Sequence, residues 1–140
     1  MDIEVLAREA VDCGFGIHCN LGPGLLESVY ESILAKSLEK RGLHVVRQHS
    51  VSFTYDGLHF DDAFRVDIVV EGRLLVELKS VEKIAPVHGK QVLTYLRLMH
   101  LPLGLLMNFG AATFKKVCNA SPTITKRSKV SRKAAKTQRR

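Results

Sequence analysis

The run Phe64-Arg65-Val66-Asp67-Ile68-Val69-Val70-Glu71-Gly72-Arg73-Leu74-Leu75-Val76-Glu77-Leu78-Lys79 holds two strongly apolar segments around Glu71-Gly72-Arg73. Each segment has the length of a strand, and unbroken apolarity predicts burial on both faces, so the pair reads as a hairpin at the centre of a sheet. A three-residue connection puts Val70 across from Leu74. Counting back along both strands then sets Asp67 across from Glu77, with Cβ atoms about 5 Å apart.

Downstream, Pro86 ends a connection and Val92, Leu93, Leu96 and Met99 recur at helical spacing over Val87 to His100, before Pro102 and a further apolar strand, Leu103 to Phe109. Strand, crossover helix and strand imply a right-handed βαβ unit, so the last strand should run parallel to the one carrying Glu77 and the sheet should be mixed. Thr113 to Asn119 fits an edge strand or a short helix. Upstream, Asp56-Gly57 is a two-residue turn signal between Val51 to Tyr55 and the run that ends at Val70, and Leu43 to His49 is another short β-rich run. Two helices come first: one from about Asp2 to Cys19, weakened by Gly14 and Gly16, and one that follows Gly22-Pro23-Gly24 at once, with Pro23 as an early helical residue, and stops near Arg41 at the Gly42 cap.

With 140 residues, 46% of them apolar and 25% charged, there is material for one soluble domain with one core. The predicted organisation is a domain over residues 1–120 and a basic, disordered tail over 121–140. No apolar run approaches the roughly 18 residues that span a bilayer, and the first residues lack a basic secretory start, so a cytoplasmic location without membrane contact is expected. Cys13, Cys19 and Cys118 are odd in number and form no CxxC pair, which argues against a disulfide framework and a ribbon-type zinc site. The net charge of +7 belongs to the tail: Lys126, Arg127, Lys129, Arg132, Lys133, Lys136, Arg139 and Arg140 are basic, and the remainder holds 13 basic against 14 acidic residues. Such an arm suits phosphate backbones and supplies affinity without sequence specificity.

Chemistry is sought where polar groups stand in apolar settings, because an unpartnered buried charge is costly. Asp67 and Glu77 are such groups, and two carboxylates that close must share a proton or be neutralised by a cation; a divalent metal with oxygen ligands does the latter. The strand pleat sets Lys79 on the face of Glu77, while Leu78 points away with its carbonyl near the site. The bland alternative is an ion pair of Lys79 with both acids. Two helical clusters sharpen the reading: Glu27 with Tyr30, three apart beside an apolar stripe, and Gln91 with Tyr95, four apart. Against them stand a helix N-terminal charge for Glu27 and a core aromatic for Tyr30.

Asp67, then Glu77-Leu78-Lys79, then Gln91-x-x-x-Tyr95 on a helix resembles the PD-(D/E)XK nuclease superfamily, with the Gln-x-x-x-Tyr element similar to its RecB-type branch. Gly24-x-x-Glu27-x-x-Tyr30 together with Val76-Glu77-Leu78-Lys79, Pro86-Val87-His88 and Gln91-x-x-x-Tyr95 resembles the bacterial GxxExxY proteins, over about Ile17 to Asn119. The resemblance implies an α/β, restriction-endonuclease-like fold, a mixed central β-sheet flanked by α-helices. It implies Mg²⁺ or Mn²⁺ as cofactor, held by Asp67, Glu77 and the Leu78 carbonyl with Glu27 in support; Asp67, Glu77 and Lys79 as catalytic residues, Lys79 orienting the attacking water; and Gln91, Tyr95 and Tyr30 positioning substrate. His88, Lys83 and Glu82 line the approach as weaker candidates. Arg65-Val66 stand where the family's usual proline precedes the aspartate, a position that shapes the strand and does not ligate metal.

Two functional readings follow. The first is a metal-dependent nuclease that hydrolyses phosphodiester bonds, in DNA more than RNA. The second is a non-catalytic nucleic-acid-binding or assembly module on the same fold, using the tail and a possible homodimer face. The set of acids favours the first, since a purely structural module has no need of buried carboxylates.

Overall fold

The structure, a computed structural model, describes residues 1–120; the eight basic residues from Lys126 to Arg140, and with them the tail expected to contact nucleic acid, lie outside the described residues. Elements follow in the order α1 (Ile3–Leu21), α2 (Glu27–Lys40), β1 (Val45–Tyr55), β2 (Leu58–Val70), β3 (Leu74–Lys79), α3 (Pro86–Met99), β4 (Leu103–Asn108) and β5 (Lys115–Ala120). The five strands lie side by side in chain order. Only β3 and β4, joined through α3, are parallel, as the crossover argument requires. The ambiguous segment after Phe109 is β5, antiparallel to β4 at the sheet edge.

Two cores form because helices cover both faces. On one, Leu6, Ala10 and Cys13 of α1 and Tyr30, Leu34 and Leu38 of α2 pack on Ile68, Val76, Leu78 and Leu105. On the other, Val92 and Leu96 of α3 meet Val66, Val69, Leu75 and Leu106. β3 sends side chains to both and is buried along its length, which accounts for its near-continuous apolar sequence.

The first helix forms as expected and runs on through Gly14, where a Cβ would lie 2.9 Å from both Met107 and Phe114; glycine lets α1 approach the sheet closely. Other local expectations need correction. The second helix does not start at Pro23 but at Glu27, since Gly22 and Gly24 take φ of 72° and 114° and hold the connection out of helical geometry. The two β-rich runs before Asp56-Gly57 form one strand, β1, of 11 residues.

Candidate active site

Near the Glu71-Gly72-Arg73 turn, β2 and β3 pair regularly through Val70 with Leu74, Val69 with Leu75 and Ile68 with Val76. The paired register ends there, and the next residues are Asp67 and Glu77. Side chains take over from main chain at that level. The Asp67 N–H donates to Glu77 Oε1 at 2.9 Å, and the Leu78 N–H donates to Asp67 Oδ2 at 2.8 Å. Each carboxyl group is thereby oriented by a backbone amide of the opposite strand.

Glu77 is only 7% exposed. Burial, the nearby charge of Asp67 and a side-chain hydrogen bond with it push its carboxyl up to about 8 from an ordinary 4.5, against the lowering influence of the Asp67 N–H and of Lys79. Lys79, half-buried at the end of β3, is too weak a neighbour to cancel the effect. The phenol of Tyr95 is raised as well, by burial first and then by the charges of Glu77 and Asp67, so α3 delivers this hydroxyl into the field of the two acids. Its ring stacks on Phe64 with centroids 4.1 Å apart. Asp67, Glu77, Lys79 and Tyr95 are thus brought together from β2, β3 and α3.

The other sequence candidates are placed differently. Gln91 is exposed on α3 one turn before Tyr95. Glu27 is exposed at the first residue of α2 and joins no metal-holding group with the two acids: among the described residues, no three His, Cys, Asp or Glu side chains converge. Tyr30 is fully buried; its hydroxyl donates to the Gly22 carbonyl at 2.5 Å and accepts from the Leu25 N–H, and its ring stacks on Phe109 at 4.6 Å. That placement corrects the substrate-positioning role expected of it: Tyr30 pins the α1–α2 connection, which in turn accepts a bond from Ser80 Oγ through the Leu25 carbonyl at 2.9 Å. His88 Nδ1 accepts from the Ala85 N–H at 3.2 Å and steadies the start of α3. Glu82 and Lys83 are exposed in the β3–α3 connection, and the Leu78 side chain is buried away from solvent.

Three further residues shape the site, and sequence reasoning passed over them. Glu31, 5% exposed on α2, accepts from Arg47 Nε at 3.0 Å and from Gln48 Nε2 at 2.7 Å; its spacing of four from Glu27, on the apolar stripe with Tyr30 and Leu34, was the available signal. Gln48 also reaches Asp67 Oδ1, at a long 3.4 Å. Asn108 ends β4 beside Lys79. It accepts from the N–H groups of Val81 and Gly110 at 3.1 and 3.0 Å and donates to the Val81 carbonyl at 2.8 Å. This clamp brings Val81 so close that a Cβ on Gly110 would lie 2.3 Å from its nitrogen, and it fixes the chain immediately after Lys79.

Compared with known proteins, residues 4–120 match the family model described as PD-(D/E)XK nuclease superfamily. The chain belongs to the PD-(D/E)XK nuclease superfamily. The mixed five-stranded sheet with helices on both faces is its restriction-endonuclease-like fold. The crystal structure of SSO0001 superposes with a TM-score of 0.54 at 14% identity, covering 79% of this chain, which spans 60% of the SSO0001 chain; the likeness is one of fold. Curated proteins give no match.

Membership in the PD-(D/E)XK superfamily suggests nuclease-like hydrolysis, and its members typically use divalent metals. The residues present fit such an ion. Two adjoining carboxylates, one buried and reluctant to ionise beside the other, form an oxygen-only site whose repulsion a hard dication relieves. The amide bonds engage Glu77 Oε1 and Asp67 Oδ2, leaving lone-pair capacity on Glu77 Oε2 and on Asp67 Oδ1, which also takes the long contact from Gln48 Nε2.

Proposed function

We propose that this chain is a Mg²⁺- or Mn²⁺-dependent nuclease that hydrolyses phosphodiester bonds in DNA. The observation that carries the reading is the Asp67–Glu77 pair, held together by two amide bonds at the point where the β2–β3 register ends. Burial and the neighbouring Asp67 charge keep Glu77 from ionising readily in spite of the Asp67 N–H and Lys79, and a hard dication between the two acids would relieve that repulsion. A bound divalent cation supplies charge neutralisation and Lewis acidity at the phosphate oxygens.

Asp67, Glu77 and the Leu78 carbonyl would hold the ion, with Glu27, exposed at the first residue of α2, as a supporting carboxylate. Lys79 orients the attacking water and balances charge that builds on phosphorus-bound oxygen. Tyr95 and Gln91 hold the substrate backbone from α3, the Tyr95 phenol, raised by burial first and then by the two acids, donating to a phosphate oxygen. His88 sets the start of α3 that carries both, and Lys83 adds a cation to the approach. The basic residues between Lys126 and Arg140 add phosphate contacts. Gly24-x-x-Glu27-x-x-Tyr30 supports membership in the GxxExxY group, with Tyr30 anchoring the connection that precedes Glu27.

The test is calorimetric titration of Mn²⁺ into the full chain and into Asp67→Ala, followed by incubation of both with single- and double-stranded DNA and RNA. Metal binding and cleavage in the unmutated chain, both lost in Asp67→Ala, are expected. Metal-independent DNA binding with no cleavage would instead assign a nucleic-acid-binding or assembly module, a reading favoured by the absence of a third convergent acid among the described residues.

A further inference from the structure

Side chains two apart on a strand point to the same face. β2 breaks this rule at one place: Val66 packs with α3, whereas Ile68, two residues on, packs with α1 and α2. β1 breaks it at the matching place, since Val45 lies against the α1–α2 core and Val51, six residues later, belongs to the α3 core. Between Val45 and Val51 stands Gln48 with φ of 48°, a left-handed conformation that residues with a long side chain disfavour. Between Val66 and Ile68 stands Asp67. The two oppose each other, because Arg47 pairs with Ile68 and His49 with Val66.

From this crossing point we infer that Gln48 is the positioning residue of Asp67. The left-handed backbone reverses the faces of β1, and the Gln48 amide thereby comes between two carboxylates. Its Nε2 is anchored on buried Glu31 at 2.7 Å, Glu31 itself being fixed by Arg47, and the same nitrogen lies 3.4 Å from Asp67 Oδ1. On the other side, Asp67 Oδ2 takes the Leu78 N–H of β3. The carboxylate is therefore spanned across the sheet, from β1 through Gln48 to β3 through Leu78. An observed strained residue whose side chain reaches an acid of the site is the pattern of backbone strain retained for function. The strain holds the donor that sets the rotation of the carboxylate. This rests on the metal-site reading above for its consequence, and on geometry alone for the positioning itself.

Gln48→Gly separates the two roles of the residue, since glycine accepts φ of 48° freely and removes only the amide. Two readouts on the full chain suffice: hydrogen exchange at the Leu78 amide by NMR without metal, and the Mn²⁺ dissociation constant by calorimetry. In Gln48→Gly, exchange at Leu78 should speed up by about tenfold as its acceptor becomes free to rotate. The Mn²⁺ dissociation constant should rise by about tenfold or more, while the melting temperature holds or increases. Gln48→Asn, which keeps a shorter amide and tolerates the left-handed backbone, should fall between the two. Unchanged Leu78 exchange in Gln48→Gly overturns the inference even if Mn²⁺ binds the unmutated chain. Faster exchange with no Mn²⁺ binding in the unmutated chain supports the positioning role and overturns the nuclease proposal instead.

Discussion

The β2–β3 hairpin has two unlike ends. By the turn, Val70, Leu74, Val69, Leu75, Ile68 and Val76 pair in regular register and every side chain is buried. One residue further, the same strands carry Asp67 and Glu77, the register ends and carboxylates receive the amides. The first end closes two cores. The second holds a buried carboxyl that its burial and a neighbouring acid keep from ionising readily. Within a few ångströms, one supersecondary unit is divided between stability and a site, because rigid apolar pairing is what holds the acids in place.

Substitutions sharpen that division. Leu75→Ala, at a fully buried position against α3, should have the largest effect, lowering unfolding stability by about 2–5 kcal/mol in chemical denaturation. The Mn²⁺ affinity of its folded fraction should be unchanged; a parallel loss would show that the two ends are not separable.

Glu77→Gln should act with the opposite sign. Glu77 has an ordinary value of 4.5 and a folded value of about 8, so over that window the folded chain keeps a proton that the unfolded chain has released. Its contribution to stability is therefore fully retained below about pH 4.5 and lost progressively as pH rises towards 8. The glutamine variant cannot ionise. Thermal melts should show it gaining on the parent chain as pH rises, by several °C at alkaline pH, at about 2–4 °C per kcal/mol for a chain of this size. Parallel curves for the two proteins from pH 5 to 9 would contradict a buried, repelled carboxyl at this position.

The smallest expected effect belongs to Lys79→Ala. Lys79 lowers the Glu77 value and is half-buried, so its removal should move the pH-dependent loss of stability upward by less than about 1 pH unit. A downward movement would mean that Lys79 does not face the pair.

Much of the site was legible because it follows from local rules. The hairpin count from Val70 and Leu74 placed Asp67 beside Glu77, and the helical spacing of Gln91 and Tyr95 put the phenol on the face that meets the acids. Glu27 and Tyr30 were harder. Their spacing of three was right for one helical face, but helical spacing does not say how far along the helix axis the site lies; Glu27 falls at the exposed first residue and Tyr30 in the core. Gln48 illustrates a different loss. Counted from the Asp56-Gly57 turn, where Tyr55 pairs with Leu58, it should face Arg65; a register shift between Val51 and Phe53 moves it opposite Asp67.

Composition, apolar periodicity and turn residues by themselves determined the two N-terminal helices, the central hairpin, the parallel crossover to β4 and the adjoining acids, since each depends on neighbours a few residues apart or on the handedness of one connection. Tertiary structure alone decided that Glu31 is buried and bonded to Gln48 while Glu27 is exposed, that Asn108 and Gly110 clamp the chain after Lys79, and that β1 and β2 exchange faces at Gln48 and Asp67. The reason is physical: a bulge shifts every later cross-strand pair, and a left-handed residue reverses every later face. Neither leaves a periodic trace in the chain that contains it.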